Sequence, residues 1–170
     1  MGYDLPAAIG AAVAREGERV ICLAGDGSLQ LNIQELQTVV HNRLPIKLFV
    51  LNNEGYLSIR LSQKNMFKRL TGESPKSGVS FPDMVKIAEA YGIPALRIGY
   101  DELEKGIQEV LIQTGPVVCD VLLDPDQPFE PRISSKQLPD GRIVSSNLEE
   151  MYPFLDDQEL AENMLVPFRK

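Results

Sequence analysis

Among its 170 residues the sequence has no tryptophan, a single histidine and only two cysteines. A zinc site needs four nitrogen or sulfur ligands or close to it, and His41 with two strand cysteines cannot supply them. Cys22 and Cys119 sit in the apolar runs ICLAG and VVCDVLL, where cysteine behaves as a small core residue rather than as half of a disulfide or a nucleophile. No apolar stretch approaches the length of a membrane span, and no charged leader followed by an apolar segment is present, so a soluble, reducing, cytoplasmic setting is expected. Basic residues are also scarce, 17 against 24 acidic, for a formal charge of -7 and a pI near 4.8. That balance argues against sequence-independent binding to nucleic acid or to anionic membrane, both of which need basic patches. Internal repeats and low-complexity tracts are lacking too.

What is there reads as alternating strand and helix. Small and apolar residues at helical spacing predict a helix over 4–16, with Gly17 as its terminator. Residues 19–25, rich in β-branched side chains and ending at a glycine, predict a buried parallel strand. A turn at 26–28 leads to a helical pattern over 32–42, then a second buried strand, Ile46–Asn52. Residues 57–70 mix apolar and basic side chains and suggest a helix less clearly. The polar loop 71–80 is long enough to fold over a site. A helix opens at Phe81-Pro82-Asp83 and closes at Gly92, and a strand at 95–98, a helix at 101–114 and a strand at 116–123 follow. Such alternation implies an α/β fold: a doubly wound, mainly parallel sheet with helices on both faces. One domain is expected over 1–123. Beyond it, 124–170 is proline-rich and aperiodic, an irregular tail with a short helix near 156–164.

The chemistry concentrates in two polar clusters. Gly25-Asp26-Gly27-Ser28 stands at the end of the first strand and Asn52-Asn53, with Gly55 and Tyr56 just after, at the end of the second. Open parallel sheets bind ligands at the C-terminal ends of their strands, so both clusters can face one ligand. A magnesium ion takes oxygen ligands in octahedral geometry, commonly one or two side chains together with phosphate and water. Asp26 offers a carboxylate, Asn53 an amide oxygen and Gly55 a main-chain carbonyl. The glycines at 25 and 27 would let the backbone turn toward phosphate, with N–H groups at Gly27, Ser28 and the following helix start as donors. Net negative charge is no obstacle, because a cation dominates its own surroundings. Singly, Asp-Gly and Asn-Asn are ordinary turn formers; the pairing and spacing are what carry information.

Gly-Asp-Gly, then residues 28–51, then Asn-Asn resembles the signature of thiamine diphosphate enzymes. MGYDLPAAIGAA, ELQTVVHNRLPIKLFVLNN and NEGY resemble the matching stretches of the acetolactate synthase-like group. The likeness covers most of residues 1–123 and identifies them with the C-terminal, diphosphate-binding domain of that family. The resemblance implies thiamine diphosphate and Mg²⁺ as cofactors, with Asp26, Asn53 and the Gly55 carbonyl on the metal. It implies that Gly25, Gly27 and Ser28 lie at the diphosphate, that Met1 props the cofactor in its bent form, and that Tyr56 and Leu57 lie near the thiazolium and substrate. The activating glutamate of the family belongs to a separate pyrimidine-binding domain, of the same or another subunit, so no catalytic residue is assigned in this chain. Glu35 is expected to make only helix or interface contacts, and His41 to cap or face solvent. Arg60, Gln63, Lys64, Lys68 and Arg69 form a basic stretch, read as a solvated face with an anionic substrate or neighbouring subunit as the alternative. The parent enzyme is expected to act on a small 2-oxo acid by decarboxylation and carboligation, as a homo-oligomer. Residues 56–67 depart from acetolactate synthase proper, which leaves the 2-oxo acid open. Two alternatives stand beside this reading: a natural subunit of a split decarboxylase or oxidoreductase, and a non-catalytic interaction module of the same fold.

Overall fold

The computed structural model describes residues 1–138 and 140–166; Pro139 and 167–170, within the expected tail, lie outside the described residues. The chain divides into two units, Met1–Pro125 and Asp126–Lys170.

In the first unit, β1 (Val20–Gly25), β2 (Ile46–Asn52), β3 (Ala95–Ile98) and β4 (Val117–Leu122) form one sheet of order β1-β2-β4-β3, all pairs parallel. Side chains alternate across a strand, and β2 shows the result. Ile46, Leu48 and Val50 enter a cluster with Leu5, Ala8 and Ala12 of α1 (Asp4–Ala14), Leu36 and Val39 of α3 (Leu36–His41), and Met84 and Ala88 of α5 (Met84–Ala90). Phe49 enters the opposite cluster with Ile98, Val117, Cys119 and Val121 and with Val110 of α6 (Leu103–Ile112). The chain steps from β1 to β2 to β3 with α3 and α5 on the first face, then returns from β3 to β4 with α6 on the second. Right-handed crossovers demand that change of face when the direction reverses. The fold is therefore α/β and doubly wound.

Cover on the second face is partial. Ile21 and Leu23 alternate with the buried Cys22 and Ala24, yet are 55% and 63% exposed. An apolar run such as ICLAG does not distinguish a strand covered by its own helices from one with a face left open, so the expectation of burial on both sides fails for β1. Lys47, also on the second face and 1% exposed, directs its amine to the carbonyls of Gln113 (2.8 Å) and Gly115 (2.6 Å). It thereby satisfies acceptors at the end of α6, and burial, then the nearby Arg19, pulls its pKa down.

Several expected elements differ in extent. The first helix stops at Ala14, with Glu16 (φ 54°) and Gly17 (φ 82°) left-handed and Gly17 N–H donating to Ala12. Helix begins directly after β1 rather than at 32: α2 (Asp26–Leu29), a 3-10 segment Gln30–Glu35 and α3 follow without a break, kinked at Asn32 (φ -140°). At the kink the Asn32 amide donates to the carbonyl of Gly2. Residues 57–70 yield α4 (Leu57–Met66). The second unit contains an antiparallel pair, β5 (Ser135–Gln137) with β6 (Ile143–Ser145), and α7 (Asp157–Asn163), capped by the Asp156 carboxylate. Strands of three residues carry no legible alternation, so the ladder was not foreseen.

Two glycine substitutions should act with opposite sign. A Cβ on Gly106 would lie 2.4 Å from Cγ2 of the buried Ile98, so Gly106→Ala should cost about 1–3 kcal/mol by overpacking. Gly10 is exposed inside α1 with nothing near its missing Cβ, and Gly10→Ala should stabilise by about 0.4–1 kcal/mol. Urea unfolding of the two variants checks the contrast.

Candidate functional site

Gly25 pairs with Leu51 in the β1–β2 ladder, so Asp26 and the pair Asn52-Asn53 leave neighbouring strand ends on one edge. Asp26 is 2% exposed; one carboxylate oxygen accepts from its neighbour Gly27 N–H (2.8 Å) and the other from Gly55 N–H (3.0 Å). Burial pushes its pKa above the ordinary aspartate value; the two N–H donors oppose this, Asp120 adds to it, and Arg60 opposes it. A carboxylate has about four acceptor positions, so each oxygen keeps capacity for a cation. The side-chain oxygen of Asn53 is buried and has no hydrogen-bond partner. A buried orphan acceptor is costly, and a cation is one of the few groups that would satisfy it. Between them runs a strained turn, with Glu54 at φ 57° and Gly55 at φ 154°. A Cβ on Gly55 would stand 2.0 Å from the carbonyl oxygen of Glu73, so only glycine fits.

The Gly25–Ser28 turn is arranged differently from expectation. Gly25 has an ordinary extended φ of -71°, and Gly27 is needed for space rather than backbone freedom: the Tyr56 ring lies where its Cβ would be, at 2.4 Å. Tyr56 in turn meets Phe81 edge to face, centroids 5.2 Å apart. Gly27 N–H is committed to Asp26. The Ser28 hydroxyl accepts from Gly2 N–H (2.8 Å), and with Asn32 it pins Gly2 from both sides. This fastens the neighbour of Met1, whose own residue is 74% exposed, beside the 26–32 turn. Leu57 is half-buried at the first position of α4.

Two ionic networks, each built on a buried carboxylate and absent from the sequence reading, support these strand ends. Asp120, fully buried in β4, accepts from the Asn52 amide (3.0 Å) and from Arg97 Nε (2.8 Å), and Arg97 also pairs with Asp83 (3.0 Å). Asn52 then accepts from Glu54 N–H (3.2 Å). The second network corrects one expectation. Arg60 is not part of a solvated face: it is 5% exposed and ion-paired to Glu73, itself 1% exposed. The loop after α4 is tied down. Gln63 exchanges two hydrogen bonds with the Thr71 backbone, Gly72 N–H donates to Ser77, and Glu73 accepts from the hydroxyls of Ser74 and Ser77.

The cysteines, Glu35 and His41 have local surroundings that leave them out of the site. Burial pushes both cysteine thiols up to about 11, so they stay protonated core residues at neutral pH. Glu35 accepts from Thr38 Oγ1 (2.7 Å), and His41 is exposed at the end of α3. Among the described residues no group of three or more His, Cys, Asp or Glu side chains could hold a metal alone. A cation at Asp26 would thus complete its shell with amide, carbonyl, water or ligand oxygens, the set that magnesium takes.

Residues 1–121 match the family described as thiamine pyrophosphate enzyme, C-terminal TPP binding domain. Acetolactate synthase 2, chloroplastic, of Nicotiana tabacum is 39% identical over 141 residues, covering 79% of this chain and 21% of its own length. The acetolactate synthase isozyme 2 large subunit of Escherichia coli is 34% identical over 152 residues, covering 89% and 26%. A solved thiamine diphosphate-dependent 4-hydroxybenzoylformate decarboxylase from Rhodococcus jostii superposes with a TM-score of 0.64 at 30% identity, covering 75% of this chain and 24% of that one. The chain belongs to the thiamine pyrophosphate enzyme family, as an acetolactate synthase-like C-terminal TPP-binding domain. It spans about a fifth to a quarter of these relatives.

Burial alone would raise the Glu73 pKa, but Arg60, Ser74 and Ser77 outweigh it and hold it below its ordinary value of 4.5. A depressed carboxyl contributes stability that is present above the unfolded pKa and lost as pH falls through the folded one. Glu73→Gln should therefore cost about 3–5 kcal/mol at pH 7, where Arg60 is left buried and unpaired, and the gap to wild type should close below pH 4.5. Unfolding at a series of pH values reads this; a gap constant with pH would contradict it.

Proposed function

We propose that this domain binds the diphosphate of thiamine diphosphate through a magnesium ion held by Asp26, Asn53 and the main-chain carbonyl of Gly55. What carries the reading is the buried, partnerless oxygen of Asn53, beside an ionisable carboxylate kept at a neighbouring strand end. Asp26 supplies negative charge to the cation while its two N–H partners fix its orientation. The diphosphate is assigned to the Gly25–Ser28 turn, and Met1, Tyr56 and Leu57 to the wall beside the thiazolium. Tyr56, seated on Gly27 and braced by Phe81, is placed to exclude water there.

When bound, thiamine diphosphate supplies an electron sink for the negative charge left by decarboxylation. The residues of this chain bind and orient it; the group that activates it is assigned to a pyrimidine-binding domain of the same or another subunit. We assign the complete enzyme to small 2-oxo acids, to a decarboxylating lyase or transferase reaction, and to a cytoplasmic homo-oligomer. The exposed Ile21 and Leu23 on an otherwise covered sheet favour a partner surface. Among the described residues no helix is long and apolar enough to cross a membrane.

Calorimetric titration with thiamine diphosphate should show binding that requires Mg²⁺. Asp26→Ala should abolish the metal requirement together with most of the affinity, a larger loss than the roughly 10–100-fold typical of an outer-shell partner. Because protons compete for a carboxylate whose pKa is raised, wild-type affinity should begin to fall at a pH above 3.8, where an ordinary aspartate is still ionised. Binding indifferent to Mg²⁺ in the wild type would refute the assignment.

A further inference from the structure

The buried pair Arg60–Glu73 calls for a reason. Ion pairs removed from water seldom stabilise a fold better than apolar side chains of similar volume, and their best-attested use is to fix one arrangement among several. Here the pair ties three segments together: loop 71–78, the chain at Pro125 and, beside Gly55, the Glu54 carbonyl. Arg60 Nε bonds the Glu73 carboxylate, and its terminal nitrogens reach the carbonyls of Pro125 and, at 3.4 Å, Glu54. The planar five-donor fork of arginine permits such divergent contacts, which an apolar pair could not make. Glu73 is held in turn by Ser74 (2.6 Å) and Ser77 (3.1 Å), and Ser77 also accepts from the N–H groups of Glu73 (2.8 Å) and Ser74 (3.0 Å).

The backbone of Glu73 completes the clamp. Its carbonyl accepts from Tyr56 N–H at 2.8 Å and passes so close to Gly55 that no side chain fits between them. Gly55 is thus gripped on one side by the Asp26 carboxylate through its own N–H and on the other by Glu73. The turn held this way contains two residues in the left-handed half of backbone space, a conformation that persists only where surroundings over-determine it.

We propose that Arg60 and Glu73 are positioning residues that lock loop 71–78 against the Asn53–Gly55 turn and so keep its oxygens in the arrangement a divalent cation needs. This inference rests on the magnesium reading above and assigns the pair no contact with the ion itself. Loop 71–78 acts as a strut under the site. Loss of the strut lets the Gly55 turn relax toward ordinary backbone angles, and the metal is the first ligand to sense it.

The test is Mn²⁺ binding to the full chain in the presence of thiamine diphosphate, followed by the loss of the free-ion paramagnetic resonance signal. If the wild type binds no Mn²⁺, the magnesium reading fails and this inference with it. If it does, Glu73→Gln should weaken Mn²⁺ binding about tenfold, the lower end of what removal of an outer-shell partner does. Ser77→Ala removes four of the loop's hydrogen bonds without stripping Arg60 of its counter-charge, so it reports even if Glu73→Gln does not fold; a smaller loss of about threefold is expected. Gly106→Ala, destabilised but on the far side of the sheet from α5, should keep wild-type affinity. Unchanged affinity in Ser77→Ala, or in folded Glu73→Gln, overturns the proposal. So does a loss in Gly106→Ala matching that of the loop variants, which would mean general loosening.

Discussion

A single hydrogen bond between the Asp26 carboxylate and Gly55 N–H, 3.0 Å long and buried, joins the ends of two neighbouring strands. The Glu73 backbone holds the other side of Gly55. An ionised carboxylate with 2% exposure is costly unless neutralised, and two N–H donors with a distant arginine leave its pKa still raised. A cation at the sheet edge would offset that cost, and the same ion would satisfy the buried, partnerless Asn53 oxygen. Sites that bind cations tightly are expected to look frustrated without them, because the free energy of metal binding offsets the strain and desolvation of their ligands.

The rest of the first unit works as scaffolding for that edge. Each buried charge is matched by a specific partner rather than by the general medium: Lys47 by helix-end carbonyls, Asp120 by Arg97 and Asn52, Glu73 by Arg60 and two hydroxyls. Lys47 ties the start of β2 to the end of α6, opposite the site. The Asp120 network fixes the first asparagine of the Asn52-Asn53 pair, and the Arg60 network fixes the glycine two residues beyond it. The C-terminal end of β2 is thus held by ionic contacts and its middle by hydrophobic ones. Burial of Leu48, Phe49 and Val50 sets where the strand lies; the charged pairs set what its last residues do.

Much of this was legible in the chain. The alternation of strand and helix fixed the class of fold, and the two polar clusters at strand ends are the ones the β1–β2 ladder brings side by side, which makes them the proposed site. Three features escaped. Asp120 stood in plain view within VVCDVLL, where a lone carboxylate in an apolar run requires a partner, but the partner, Arg97, is adjacent only through the β3–β4 ladder. Arg60 was hidden among the basic residues of 60–69, since its spacing does not separate a buried arginine from its exposed neighbours. Glu73 lay in a segment whose composition describes any exposed loop; burial there is decided by Arg60 and Gly55, which tertiary structure brings to it. The open face of β1 was misread for a related reason, as hydrophobicity reports what a strand prefers and not which body supplies the cover.

The central claim is that two strand ends share one divalent cation with a diphosphate. Crystals grown with Mn²⁺ and thiamine diphosphate, measured at a wavelength where manganese scatters anomalously, test it directly. The expected result is one strong anomalous peak about 2.0–2.3 Å from oxygens of both Asp26 and Asn53. A peak that contacts neither residue, with the diphosphate ordered elsewhere, would contradict it.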